Sequence, residues 1–314
     1  MKDNKMQITK NEPLSKVDEM FCELKNKKKL ALMPFIMAGD PSIEITSEIL
    51  LKLQENGADL IELGIPYSDP LADGPVIQVA ASRALKSGTN LRKVIKLLES
   101  LKGKLNIPII LFSYLNPLLC FGFEKFCKMA SNAGVSGLIV PDLPLEEAYK
   151  FSKLVSNHSM DLILLVAPTT PFERMKQISN HTKGFTYLVS VTGVTGERNK
   201  MENRVEHLIA KLKDVNSNPI AVGFGISTPE HVNKVREWGA DGVIIGSAFV
   251  KRISSSSEKD VIDHVGQFCK EMRLAADQKN KYKDSLLIKK HNYRKLIKND
   301  ISKLFLLSLR FFCG

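Results

Sequence analysis

Glu62 and Asp73 are the residues whose type and spacing most suggest chemistry. They bracket the stretch Glu62-Leu-Gly-Ile-Pro-Tyr-Ser-Asp-Pro-Leu-Ala-Asp-Gly-Pro-Val-Ile-Gln78. Glu62 closes an apolar run, so its carboxyl is expected to end a strand and point into an apolar-walled cavity. Desolvation there raises a carboxyl pKa and suits it to pass protons near neutral pH. Asp73 follows in a loop stiffened by Pro66, Pro70 and Pro75 and is expected to stay ionised. Two carboxylates in unlike environments let one site separate proton transfer from electrostatic stabilisation. The competing readings are structural: a salt-bridged acid for Glu62, and for Asp73 an N-cap of the helix from Pro75.

A second set of residues suggests an anion. Thr195-Gly196, Gly223 and Gly225, and Gly246-Ser247 each present bare backbone to a ligand, and Ser247 would open a short helix to Ile253. Backbone N–H groups at a helix N-terminus suit a phosphate dianion. The competing reading is that these glycines only serve turns. Phe35, Phe112, Tyr114, Tyr187 and Phe224 fall at or near the ends of apolar runs. Core filling accounts for any one of them, and together they would line a slot for a flat apolar ring. Acids at one end, phosphate at the other and an aromatic wall imply a phosphorylated substrate carrying an aromatic group.

Eight strand-like runs must position these residues. They start near Leu30, Ala58, Ile107, Gly137, Leu162, Phe185, Ile220 and Gly242, with helical patterns between most of them. The runs are continuously apolar rather than alternating, as in a parallel sheet covered by helices on both sides. Three junctions look alike: Asn56-Gly-Ala-Asp, Ala133-Gly-Val-Ser and Trp238-Gly-Ala-Asp, each a glycine after a helix and then a buried run. Eight such units predict an α/β fold, a single (β/α)8 TIM barrel, with an open doubly wound sheet as the competitor. Either fold places its site beyond the C-terminal strand ends, where all the residues above fall. Leu14 to Leu24 predicts an extra N-terminal helix, and Ser42 an N-cap for a helix reaching Asn56.

Composition narrows the class. Of 314 residues 44% are hydrophobic, enough for a large core, and no apolar run is long enough for a membrane span. The first thirty residues lack the apolar core of a secretory signal. The five cysteines form no C-x-x-C pair and the six histidines no paired motif, so no metal site is expected. The net charge of +11 invites a nucleic-acid reading, but residues 281–314 carry nine Lys/Arg against two Asp, leaving little for the rest.

The Glu62–Pro75 motif closely resembles the signature of the tryptophan synthase alpha chain family. Agreement continues through Phe35-Ile-Met-Ala-Gly-Asp-Pro41, Tyr114-Leu-Asn-Pro117, Val140-Pro-Asp-Leu-Pro144, Gly193-Val-Thr-Gly196, Gly223-Phe-Gly-Ile226 and Gly246-Ser247. The resemblance implies a carbon–carbon lyase that cleaves indole-3-glycerol phosphate into indole and glyceraldehyde 3-phosphate. It needs no cofactor in this subunit, pyridoxal phosphate belonging to the beta partner. On the family pattern Glu62 is the general acid/base, Asp73 the acid that bonds the indole N–H, and Tyr187 a supporting catalytic tyrosine. Gly196, Gly225, Gly246 and Ser247 match phosphate-binding positions, and with Thr195 and the aromatics Phe35, Tyr114 and Phe224 they make up the expected substrate-binding set. Asp69, Pro70 and Asn116 match positions near a beta chain that receives indole through a tunnel in an α2β2 tetramer. The alternative is a non-catalytic barrel that serves the beta chain as an allosteric partner, against which the intact acid pair argues.

Two departures qualify the resemblance. Val191 stands where many bacterial relatives carry arginine, in a loop expected to close over substrate. Residues 281–314 extend past the usual family end, so the chain is expected to divide into a flexible 1–13, a catalytic barrel over 14–280 and a basic extension over 281–314. Tyr293, Ile297, Ile301, Leu304 and Phe305 give that extension a roughly helical spacing that would suit RNA or a membrane surface. The preferred reading is a non-essential extension with neither nucleic-acid nor membrane partner. Its Lys, Asn and Ile richness suits an AT-rich genome, and a soluble protein of the plastid (chloroplast) stroma is expected ahead of a bacterial cytoplasm.

Overall fold

A computed structural model describes residues 13–189, 198–223 and 225–278, with the side chains of 198–204 left aside. Eight parallel strands close into a barrel in sequence order: β1 Ala31–Met37, β2 Ile61–Gly64, β3 Ile109–Phe112, β4 Gly137–Ile139, β5 Asp161–Val166, β6 Thr186–Val189, β7 Ile220–Gly223 and β8 Gly242–Ile245. The last strand pairs with the first, Ala31 opposite Gly242, so the open-sheet competitor is excluded.

Helices fill the intervals and cover the outside. They are α1 Lys16–Asn26, α2 Ile43–Glu55, α3 Pro75–Lys86, α4 Leu91–Ser100, α5 Leu115–Phe121, α6 Phe123–Asn132, α7 Leu145–Ser156, α8 Phe172–His181, α9 Arg198–Val215, α10 Pro229–Glu237, α11 Ser247–Ser255 and α12 Val261–Asp277. The Ser42 and Thr228 side chains accept N–H bonds from the first turns of α2 and α10, and Pro75 and Pro229 occupy first-turn positions where a missing N–H costs nothing.

The three look-alike junctions are one device. Gly57, Gly134 and Gly239 follow α2, α6 and α10 with φ of 94°, 88° and 84°, a conformation glycine adopts without a Cβ penalty. In two of the copies the aspartate that follows caps a neighbouring strand. Asp59 Oδ2 accepts from the Leu32 N–H at 2.7 Å, and Asp241 Oδ2 from the Ile220 N–H at 3.0 Å. The repeat in sequence thus fixes where β1 and β7 begin.

Two cores result from the period of the strands. Outward residues such as Leu32, Ile36, Leu63, Leu111, Leu138, Leu162 and Val222 pack beneath the helices. Inward residues such as Met33, Ile110, Ile139, Ile163, Ala221 and Ile244 fill the barrel, together with Val17, Phe21 and Leu24 of α1. The predicted extra helix therefore stops the N-terminal end of the barrel. Phe21 meets Phe185 at 5.7 Å between ring centroids, and Ser15, which caps α1, also donates to Asp161 at 2.6 Å. With that end filled, the functional groups gather at the other.

Candidate active site

Glu62 lies inward on β2, opposite Phe35 on one side and Ile110 on the other. It is 1% exposed, and its Oε1 has no hydrogen-bond partner among the described residues. The salt-bridge alternative fails accordingly. Burial pushes its carboxyl up to about 8, so at neutral pH it is largely protonated.

Asp73 sits in the loop between β2 and α3. The helix begins at Pro75 with Gly74 as its cap residue and no side-chain cap, so the capping alternative for Asp73 fails as well. Burial raises the Asp73 carboxyl to about 6, opposed by a hydrogen bond from the Tyr114 hydroxyl. The acids thus differ in the expected sense. Both are desolvated, but at neutral pH Asp73 is mostly charged and Glu62 mostly not.

Tyr187 faces inward from β6, 4% exposed, and joins the pair electrostatically. Burial, then the neighbouring Glu62 and Asp73 carboxyls, raise its phenol well above the ordinary range, so it stays neutral at physiological pH. Gly223 of β7 makes room for it: a Cβ there would stand 2.4 Å from the Tyr187 hydroxyl.

The aromatic wall forms in part. Phe35 meets Phe112 edge-on at 5.7 Å, Phe112 meets Tyr114 edge-on at 6.5 Å, and Tyr114 lies against Tyr67 at 5.3 Å. Phe224 lies outside the described residues, as do Thr195, Gly196 and Val191. At the far strand ends, Gly246 is the cap residue of α11 and Ser247 its first residue. Gly246 offers no side-chain cap to that helix, and a helix N-terminus of this kind suits an anion. Gly225 follows β7 and is exposed.

Asp69, Asn116 and the apolar Leu71 stand on the exposed rim beside the acids, Leu71 at 85% exposure, with Pro70 half-buried between them. Asn116 donates to the Tyr67 hydroxyl at 3.2 Å. Sequence reasoning missed three supports. Arg83 of α3 grips the buried Asp40 with two bonds of 2.8 and 2.7 Å, Asp142 accepts from the Leu115 N–H at 2.9 Å, and Tyr114 accepts from the Ala72 N–H at 3.0 Å. Nothing in the linear chain links residues so far apart.

Residues 21–277 match the family model for the tryptophan synthase alpha chain. The chain belongs to the tryptophan synthase alpha chain family. A family member from Prochlorococcus marinus subsp. pastoris strain MED4 is 76% identical over 279 residues, covering 88% of this chain and all of the relative. One from Synechococcus elongatus is 49% identical over 265 residues, covering 84% and 98%. Among solved structures, tryptophan synthase subunit alpha from Legionella pneumophila superposes with a TM-score of 0.78 at 37% identity, covering 84% of this chain and 99% of that one. The family assignment makes this a lyase of tryptophan biosynthesis. The Prochlorococcus and Synechococcus relatives are cyanobacterial and lend the plastid expectation no support. Among the described residues no helix is long and apolar enough to cross a membrane. The family match stops at residue 277, and the basic extension lies outside the described residues.

Proposed function

We propose that the chain cleaves indole-3-glycerol phosphate by a retro-aldol reaction in which Glu62 carries the proton and Asp73 the charge. Glu62, protonated, gives its proton to indole C3, and the positive charge that develops on the ring is stabilised by Asp73 at the indole N–H. The Glu62 carboxylate then takes the glycerol hydroxyl proton as the C–C bond breaks, its electron pair returning to the ring. Indole and glyceraldehyde 3-phosphate leave, and Glu62 ends as it began. Tyr187 supports the pair, the Phe35–Phe112–Tyr114 wall faces the ring, and the Gly225 and Gly246-Ser247 backbone holds the phosphate, with Thr195, Gly196 and Phe224 assigned to substrate from the sequence alone.

The observation that carries this reading is Glu62: a fully buried carboxyl, 1% exposed, with an oxygen left over for a reacting group. No organic cofactor enters the reaction as written. A beta chain bearing pyridoxal phosphate is the proposed consumer of indole, in an α2β2 assembly, docked on the rim that holds Asp69, Pro70 and Asn116. Exposed Leu71 and Leu119 give that rim an apolar face.

The deciding experiment is indole release from indole-3-glycerol phosphate by the purified chain, alone and with a beta chain. Turnover that rises on mixing is the expected result. No turnover in either condition would leave the non-catalytic alternative standing.

A further inference from the structure

The loop that carries Asp73 is held to the barrel by few bonds. Two of its hydrogen bonds are internal, Leu71 N–H to the Asp69 carbonyl and Asp73 N–H to the Pro70 carbonyl, both at 3.0 Å. A third comes from the helix that follows, Gln78 Nε2 to the Asp73 carbonyl at 2.8 Å. The side-chain contacts that cross to a neighbouring unit come from the start of α5, just past β3. Asn116 reaches Tyr67 early in the loop, and Tyr114 accepts from the Ala72 N–H at 3.0 Å, one residue from the acid.

Tyr114 is well placed to act as an anchor. It is 4% exposed, its ring braced between Phe112 and Tyr67, so its hydroxyl has little freedom. The Ala72 N–H occupies a lone pair of that hydroxyl, which leaves the phenolic proton to donate. Asp73 lies one residue beyond Ala72, and the Tyr114 hydroxyl opposes the effect of burial on its carboxyl.

We infer that Tyr114 is a positioning residue for Asp73, its hydroxyl pinning the loop backbone at Ala72 while aiming the carboxylate through its own proton. The inference rests on the role given to Asp73 above, and it assigns the Tyr114 hydroxyl to the loop rather than to substrate. The charged form of Asp73 is the better acceptor, so the bond opposes the effect of burial. Other titratable groups face the same space: Glu62 from β2 and Tyr187 from β6, with Asp142 from the end of β4 acting on Tyr114.

The test is Tyr114→Phe, which removes one oxygen and keeps the ring. Asp73 is titrated by NMR in protein labelled with 13C-carboxyl aspartate, its signal assigned by its loss in Asp73→Asn. Its midpoint is expected to rise by about one pH unit. The acid limb of indole release should follow, with kcat falling near pH 6 and KM changing less than about twofold. A Tyr114 that only filled space would leave the titration unmoved, and that outcome overturns the inference. Should Tyr114→Phe not fold, the otherwise unaltered chain with 3-fluorotyrosine serves instead. Its more acidic phenol should lower the Asp73 midpoint, and no change would equally overturn the inference. The titration needs no turnover, so an inactive but normally titrating parent chain would count against the proposed function alone.

Discussion

A Cβ at Gly223 would lie 2.4 Å from the hydroxyl oxygen of Tyr187 and 2.7 Å from its ring. The tyrosine is buried on β6 and cannot swing away cheaply, so glycine at the end of β7 is a condition for its position. Gly223→Ala is expected to destabilise the fold by about 1–3 kcal/mol and to displace Tyr187 from the acids. Chemical denaturation reads the first effect and kcat the second. Unchanged kcat would mean that Tyr187 is not needed where it stands.

Glu62→Gln keeps the volume of the side chain and removes the transferable proton. Indole release should fall by at least about 10²–10⁴-fold while a substrate analogue still binds. The substitution should also change how stability depends on pH. A carboxyl raised to about 8 by burial holds its proton more tightly folded than unfolded, so stability is highest below about pH 4.5 and is lost as pH rises towards 8. The native chain should lose on the order of 4 kcal/mol across that window and Glu62→Gln should not, as denaturant titrations at several pH values would reveal.

Turnover should follow a bell when kcat/KM is measured against pH. Activity needs Asp73 charged and Glu62 protonated, placing the limbs near 6 and 8. Asp73→Asn should lower the plateau and remove the contribution of Asp73 to the acid limb. A limb that survives unaltered belongs to another group, such as the substrate phosphate.

The helix that stops the barrel should respond to acid in its own way. Burial raises Asp161 to about 6 against the opposing bond from Ser15, so its burial costs most above pH 6 and least below about pH 4. Asp161→Asn should therefore flatten a pH dependence of about 3 kcal/mol. Ser15→Ala removes both the cap of α1 and the Asp161 bond, and a loss of about 1–2 kcal/mol in thermal unfolding is expected.

Arg83→Ala would strand the Asp40 carboxylate, which is 1% exposed and held by both of the guanidinium bonds. Removing one partner of such a pair costs about 3 kcal/mol, so Asp40→Asn/Arg83→Met should be the more stable variant. Urea unfolding of the two proteins checks the order.

The barrel was legible because its signals are local. Continuous apolar runs, glycines after helices and caps such as Ser42 all act within a few residues of themselves. Boundaries slipped by small amounts for the same reason. The second run opens at Ala58, yet β2 begins at Ile61, because Gly57 to Asp59 are spent turning the chain and capping β1. Glu62 and Asp73 could be found because a carboxyl ending an apolar run, or set among prolines, is anomalous where it stands. The supports could not. Arg83 with Asp40, Tyr114 with Ala72 and Ser15 with Asp161 are ordinary residues in ordinary surroundings until the fold joins them. Thr195, Gly196, Phe224 and Val191 lie outside the described residues, so they are assigned from the sequence alone.

The packing of α1 has a consequence for traffic. Val17, Phe21 and Leu24 share one continuous core with the barrel interior, so among the described residues the floor is packed with side chains against a small apolar product. Substrate, indole and the phosphorylated aldehyde must all use the mouth where Leu71 and Asn116 stand. Whatever docks there decides which of the three can leave, and in what order. A stopper at one end thus makes the rim at the other a turnstile.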